Sequence, residues 1–448
     1  MNLFWTKTAW VDGCFQENVL LSANKLGFWD KVECGIRTPP EHAQTLNGYV
    51  LPGMVNAHSH AFQRAFAGMA EQRSQNITGS EQDNFWSWRD QMYQVALRIN
   101  PAQLEAVATQ LYVEMLQGGY THVCEFHYLH HAPDGTSYAD PLEMTWALVR
   151  AAKKTGIGLT LLPVLYERAG FAAPTLRHDQ RRFASSPDSV WAIHQAVMHQ
   201  KSPLLNAGVA VHSLRAASLA SIQQLQTLVG DTDIPIHIHI AEQTGEVDDC
   251  LKATGKRPID YLASHVQLDS RWQLVHATHA EKYEIDAIAK AGAGLVMCPT
   301  TEANLGDGIT DMPYWLKSGV PLAIGSDSHV SRDWREELRW LEYAQRLQLR
   351  QRNVCADVFN KSIQGGGHAA GHAQWGLVVG ARADALVLDP QAAGLLGVPL
   401  DRILDAYVFA CDKSAVTNVY VAGQCRLHGR QHLKQQTIAN DFAGCLSR

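Results

Sequence analysis

Eight short apolar runs, each followed by a stretch with helical spacing, occupy residues 52–328, and this alternation narrows the possible fold more than any other feature. The runs are Pro52–His60, His122–Tyr128, Gly158–Tyr166, Gly208–Leu214, Pro235–Glu242, Gln273–His279, Ala293–Thr300 and Pro321–Ser328. Eight repeats of strand and crossover helix are what a closed parallel (β/α)8 barrel requires. The helix signals agree. In Asn100-Pro101-Ala-Gln-Leu the asparagine suits an N-cap and the proline the first helical position, while Gly118-Gly119 supplies the stop. Outside the barrel the pattern changes. FWTKTAWV, ENVLLSAN and GYVLPG near the start, and GLVVGARADALVLD and VTNVYVAGQCRLHGR from about residue 376, read as strand–turn–strand. The expectation is an α/β chain: a (β/α)8 TIM-like barrel over residues 51–375, with a small β-sandwich domain formed jointly by 1–50 and 376–448.

Composition restricts the partners. A chain of 448 residues, 46% hydrophobic and 18% charged, can bury such a core without disulfide staples. A formal net charge of −6, with no basic stripe, argues against nucleic acid, although a pocket can still be locally positive. Nine cysteines without a C-x-x-C make a disulfide framework unexpected and fit a reducing cytoplasm. No run of eighteen apolar residues and no basic-then-apolar leader is evident, so neither a membrane span nor a signal peptide is expected.

The chemistry is legible in where the polar residues fall. Barrel active sites form at the C-terminal ends of the strands. Five of the eight runs end in metal-capable or titratable residues: His58-Ser-His60, His212, His239-Ile-Ala-Glu242, His276 and Asp327. His58 and His60, two apart on a strand, share a face. With His239 and Asp327 they offer three imidazoles and a carboxylate, a donor set suited to zinc. Two ambiguities are local. His237 and His239 form a second H-x-H, in which His237 lies deeper and reads as a packed barrel residue; His276 competes with His279 and lies nearer the expected strand end. His127, His130 and His131 read as loop histidines, Trp86 and Trp88 as packing, and Arg73–Asn84 as a polar loop. Trp334–Gln351 reads as an outer-ring helix or a dimer face.

This pattern resembles the amidohydrolase superfamily. Pro52-Gly-Met-Val-Asn-Ala-His-Ser-His60 is similar to its first-strand metal motif, Gly325-Ser-Asp-Ser-His329 to its eighth-strand motif, and Val379–Leu388 to its return into the small β domain. Many members bridge two metals with a carboxylated lysine on strand four; Gly208–Leu214 has no lysine, so the resemblance implies a single metal ion. A closer resemblance, to the iminohydrolase branch, spans nearly the whole chain. It is carried by His58-Ser-His-Ala-Phe-Gln-Arg64, Phe85-Trp-Ser-Trp-Arg89, Cys124-Glu-Phe-His-Tyr128, Val211-His-Ser-Leu-Arg215, His237-Ile-His-Ile-Ala-Glu-Gln243, Val275-His-Ala-Thr-His279 and Thr301-Glu-Ala-Asn-Leu-Gly-Asp-Gly308.

The branch implies a zinc-dependent reaction of histidine breakdown, in which N-formimidoyl-L-glutamate and water give N-formyl-L-glutamate and ammonia, and it implies a homodimer. A substrate with two carboxylates suits arginine, whose fork matches a carboxylate. Arg89 and Arg215 are the candidates, with Gln63, Tyr128 and His212 as further substrate contacts; the competing reading of each arginine is a structural ion pair. Glu242, His276 and Asp327 are the candidates for proton transfer, with their roles undivided. Two rival functions use the same residues: a zinc aminohydrolase of a purine or pyrimidine ring, and a zinc-holding scaffold without catalysis.

Overall fold

The computed structural model describes residues 2–69, 92–352 and 355–446. The chain opens on strands β1 (Asn2–Val11), β2 (Cys14–Ala23), β3 (Trp29–Glu33) and β4 (Gln44–Pro52). β1 and β2 form a hairpin through Asp12-Gly13, in register from Val11↔Cys14 to Asn2↔Ala23. β4 lies parallel to β1 on its other edge.

The barrel strands follow: β5 (Met54–Ser59), β6 (Tyr120–His127), β7 (Gly158–Leu165), β8 (Leu205–Ala207) with β9 (Val209–Val211), β10 (Ile236–Ile240), β11 (Trp272–His276), β12 (Gly294–Met297) and β13 (Leu322–Ile324). The order β5-β6-β7-β9-β10-β11-β12-β13 is parallel at every step, and β8 pairs with β7. The fourth barrel strand is thus split at Gly208. His127 ends β6, so it is a strand residue and not a loop residue. Thr300, placed by the sequence pattern in the seventh strand, belongs to the helix Pro299–Leu305.

Closure occurs at the mouth. Ser59 bridges Asp327 in parallel, and the His58 carbonyl accepts the N–H groups of Ser326 and Asp327 at 3.1 and 3.0 Å. A Cβ on Gly325 would stand 2.6 Å from the His58 Cβ, so only glycine lets the first and last strands meet here.

The chain returns through β14 (Ala385–Leu388), β15 (Val416–Val421), β16 (Gln424–His428) and β17 (Gln431–His432), completing the sheet β17-β16-β15-β14-β4-β1-β2-β3. β14 runs antiparallel to β4, pairing Ala385 with Pro52, so the two ends of the chain share one sheet. This sheet has its own core around Phe4, Val19, Leu21, Trp29 and Val50, apart from the large barrel core. Gly53 alone separates β4 from β5; a Cβ there would meet Thr121 Oγ1 at 2.2 Å. The tail also holds two helices that strand patterning does not announce, Ile403–Ala410 and Gln435–Leu446.

Local signals dictate the helix Pro101–Gln117. Asn100 accepts the Gln103 N–H at 2.9 Å, the Gln103 side chain accepts the Asn100 N–H at 3.0 Å, and Gly118 ends the helix. Its apolar face, including Leu104, Val107, Leu111 and Met115, packs on the barrel core.

Candidate active site

The ends of β5, β10, β11 and the turn after β13 converge on one small cavity, of about 50 Å³, at the C-terminal mouth. His60, Gln63, Tyr128, His212, Arg215, His239, Glu242, His276 and Asp327 all line it. His58 is fully buried and touches the cavity residues His239 and Asp327. Arg89, with Trp86, Trp88 and Arg73–Asn84, lies outside the described residues. The backbone bends sharply here: Ala241, His276, Ala277 and Asp327 have φ of 51°, 69°, 47° and 46°. Such non-glycine left-handed conformations cost about 1–3 kcal/mol each and persist where the surroundings over-determine them.

Three imidazoles meet at the floor. His58 Nε2 and His239 Nε2 are 2.9 Å apart, and Asp327 Oδ1 stands 3.3 Å from His58 Nε2 and 3.2 Å from His60 Nε2. Ligand atoms of His58, His60 and His239 lie within 4.8 Å of one another, as do those of His58, His276 and Asp327. His60 Nδ1 faces the Phe126 carbonyl at 3.1 Å, which leaves Nε2 for the cluster. Burial pushes His58 down to about 3 and His239 well below the usual histidine range, so both rings are neutral, the form that binds metal. Burial alone would raise the Asp327 carboxyl, but its close contacts with His58 and His60 outweigh it and hold the group far below the carboxylate range. Facing lone pairs at hydrogen-bond distance, with an ionised carboxylate between them, fit a divalent cation better than they fit one another.

The wall above is charged. His276 sits between two carboxylates, with Nε2 3.7 Å from Glu242 Oε1 and Nδ1 3.5 Å from Glu302 Oε1. Burial opposes its charge, yet Glu242, Glu302 and Asp327 together push it up to about 10. Glu242 moves the other way from an ordinary carboxyl: burial raises it, and His276 and Arg215 only partly compensate. Arg215, 8% exposed, places Nη2 3.9 Å from Glu242 Oε2 and 4.0 Å from Glu246 Oε2. Glu246 in turn accepts the Glu242 N–H at 3.1 Å, fixing the turn after β10. Gln63 Nε2 donates to Tyr128 Oη at 3.4 Å, and the His212 ring packs on Tyr166 at 4.4 Å between centroids.

The paired alternatives separate. β11 ends on His276, which faces the cavity; His279 binds the Asp307 carbonyl at 2.8 Å. His237 binds the Ala369 carbonyl at 2.8 Å, away from the mouth. His130 and His131 bind the carbonyls of Val164 and Ala184.

Other cavity residues escaped the sequence reading. Met92, Tyr93 and Leu305 come from connecting segments and carry no strand-end signal, whereas Tyr166 directly follows β7 and could have been found by the rule that found the histidines. Glu302, five residues past β12, had the same kind of signal. Glu125 lies inside β6 and accepts from Ser59 Oγ at 2.8 Å and Ala61 N–H at 2.5 Å, clamping the segment that carries His60; burial pushes its carboxyl up to about 7.

A barrel closed over a histidine-and-aspartate floor, with a small sheet shared by both chain ends, defines a class of hydrolases. The model of the amidohydrolase family matches residues 49–426, and the chain belongs to that family. It is 45% identical over 419 residues, covering 90% of each chain, to the formimidoylglutamate deiminase of Pseudomonas aeruginosa. The crystal structure of an amidohydrolase from Brucella melitensis superposes with a TM-score of 0.92 at 38% identity, covering 100% of this chain and 99% of that one. An adenosine deaminase from Xanthomonas campestris, solved with bound zinc, shares the fold with a TM-score of 0.82 at 22% identity, covering 100% and 98%.

Proposed function

We propose that this chain hydrolyses N-formimidoyl-L-glutamate to N-formyl-L-glutamate and ammonia, a step of histidine degradation, using one zinc ion per subunit. One observation carries the reading: an imidazole cluster with the Asp327 carboxylate meets at the floor of the same cavity whose wall holds the buried guanidinium of Arg215. The 45% identical deiminase supplies the substrate. A neutral ring would use the same floor but has no carboxylate to offer Arg215.

His58, His60, His239 and Asp327 would hold the ion. When bound, zinc lowers the pKa of a coordinated water toward about 7, supplying a nucleophile at neutral pH. The chain's own residues do the rest. Ammonia leaves only after its nitrogen is protonated. Glu242, whose carboxyl keeps its proton above the usual range, is suited to deliver that proton from Oε1 or Oε2. Asp327, held ionised, is suited to accept one at Oδ. His276, flanked by Glu242 and Glu302, is suited to donate from Nε2 and so to polarise the attacked group. Arg215 presents its fork to one substrate carboxylate, with Gln63, Tyr128 and His212 around it, and Arg89 is assigned to the other carboxylate on the sequence resemblance.

A homodimer in the cytoplasm completes the proposal. The helix Trp334–Leu349 turns Trp340, Tyr343 and Leu347 outward, an apolar face of the kind subunits cover. All nine cysteines are free, and among the described residues no helix is long and apolar enough to cross a membrane.

The test is coupled ammonia release from N-formimidoyl-L-glutamate, guanine and adenosine, run before chelation, after it, and after zinc is restored. Zinc-dependent release from the formimidoyl compound is expected. Release from a ring alone would overturn the assignment in favour of a ring aminohydrolase, and zinc retention with no release from any of the three would favour a scaffold.

A further inference from the structure

A chain of fully buried side chains joins the strand that carries His58 and His60 to the turn that carries Asp327. Its members are Asn56, Ser326, His329 and Ser59. Asn56 Oδ1 accepts the Ser326 N–H at 3.0 Å and the His58 N–H at 3.4 Å, which fixes the orientation of the amide and leaves Nδ2 to donate to Ser326 Oγ at 2.7 Å. Ser326 Oγ stands 3.0 Å from His329 Nδ1, and Ser59 Oγ stands 3.4 Å from His329 Nε2. Ser59 Oγ donates to Glu125 Oε2 at 2.8 Å, and Glu125 also accepts from Tyr112 Oη at 3.2 Å and from the Ala61 N–H. The single Ser59 proton is thereby committed, so His329 donates to Ser59 from Nε2. Ser326 Oγ, already an acceptor toward Asn56, gives its own proton to the bare His329 Nδ1. The protons therefore run one way, from Asn56 through Ser326, His329 and Ser59 to Glu125.

Each link adjoins a residue of the imidazole floor. Asn56 accepts the His58 N–H, Ser59 lies between His58 and His60, Ser326 directly precedes Asp327, and Glu125 accepts the N–H of Ala61, which follows His60. The turn it secures is a strained one. Asp327 and His329 have φ of 46° and 65°, and the His329 N–H closes on the Ser326 carbonyl at 3.0 Å. We propose that this chain acts as one unit, and that His329, its middle link, is a positioning residue that holds Asp327 against His58 and His60 for the metal ion. The proposal rests on the zinc reading above and uses nothing from the substrate assignment.

Ser326→Ala and Ser59→Ala test it, because they cut the chain on either side of His329 and remove only one oxygen each. In the folded full-length protein, zinc affinity measured by chelator competition is expected to fall about 10-fold to 100-fold in each variant, the usual effect of losing a group that orients metal ligands. The visible spectrum of the cobalt-loaded protein is expected to change as well, because Asp327 loses its fixed approach. A chain that works as a unit is broken by either cut, so the double variant is expected to bind zinc within about threefold of the weaker single variant, whereas independent links would multiply the two losses. A role in folding alone would lower the unfolding midpoint and leave Kd and the cobalt spectrum unmoved. Zinc affinity within about twofold of wild type in both single variants, or multiplied losses in the double, would overturn the proposal. If the variants do not fold, the unmutated protein decides. Nitrogen NMR of the zinc-loaded protein is expected to show His329 with its proton on Nε2 and a bare Nδ1, and a proton on Nδ1 would overturn the one-way chain. Wild type that takes up no zinc would sink the zinc reading and this proposal together; tight zinc binding that neither cut weakens would sink this proposal alone.

Discussion

Replacing Arg215 by Met separates a substrate clamp from a structural ion pair. The guanidinium is buried, and Nη2 lies 3.9 and 4.0 Å from the Glu242 and Glu246 carboxylates. At an effective dielectric near 20, each contact represents roughly 4 kcal/mol of gross attraction, set against the desolvation of the charges. Removing one partner of a buried pair costs about 3–5 kcal/mol, so Arg215→Met is expected to lower the unfolding midpoint whatever its role. The clamp adds a second effect. A ligand carboxylate that loses a buried charged partner loses about 2–5 kcal/mol, which is a rise in KM of roughly 30-fold to several thousandfold. kcat should fall much less, because Glu242, relieved of its cation, holds its proton even more firmly. Arg215→Lys should recover most of the stability through its point charge but little of KM, since an ammonium lacks the fork. The assay is steady-state ammonia release alongside thermal unfolding. A KM within about threefold of wild type in Arg215→Met, accompanied by a lower midpoint, would refute the clamp and leave Arg215 as the counter-ion of two glutamates.

Other outcomes follow from the same structure. Glu242→Gln and His276→Asn are each expected to lower kcat by about 10²-fold or more with folding intact, and near-normal turnover in either purified variant would remove that residue from proton transfer. Strong chelation should abolish activity and lower the unfolding midpoint, with one equivalent of zinc restoring both by mass spectrometry and calorimetry, since an ion bound only by the native state stabilises it. Asp384→Ala should cost about 3–5 kcal/mol by stranding Arg382, which is fully buried 2.6 Å from that carboxylate with its guanidinium carbon 4.8 Å from the centroid of the Trp375 ring, while activity per folded molecule is unchanged. His130 supplies a pH dependence: burial pushes it down to about 4 in the folded chain, against 6.5 for a free side chain. Neither state is protonated above that range. As pH falls from 6.5 toward 4, only the unfolded chain takes the proton, so stability should drop by about 1.4 kcal/mol per pH unit, a slope that His130→Asn should remove from the denaturation midpoint.

Periodicity and capping act over a few residues, and whatever depends on them could be read from the chain alone. The two-residue spacing of His58 and His60 puts both imidazoles on one face of β5 before any neighbour is known. Asn100, Pro101 and Gly118 bound a helix by satisfying or stopping their own backbone. Eight apolar runs imply the barrel, and the barrel implies that strand ends share a mouth, which is how His239, His276 and Asp327 could be grouped with His58 across nearly 270 positions of sequence.

What needed the tertiary structure was every choice made by contact between segments that local patterning does not relate. His276 and His279 have equal claims in sequence; the end of β11 and a positive φ aim the first at Glu242 and Glu302 and leave the second bound to a carbonyl. The charge on Arg215 was evident, but its burial against Glu242 and Glu246 was not. Tyr93, Tyr166 and Gln180 meet through a helix fragment, a strand end and a 3-10 turn with no shared spacing. A residue type states which chemistry is available. Its pKa, its partner and the direction it faces come from the neighbours that folding brings within a few ångströms, because desolvation and charge act through space and not along the chain.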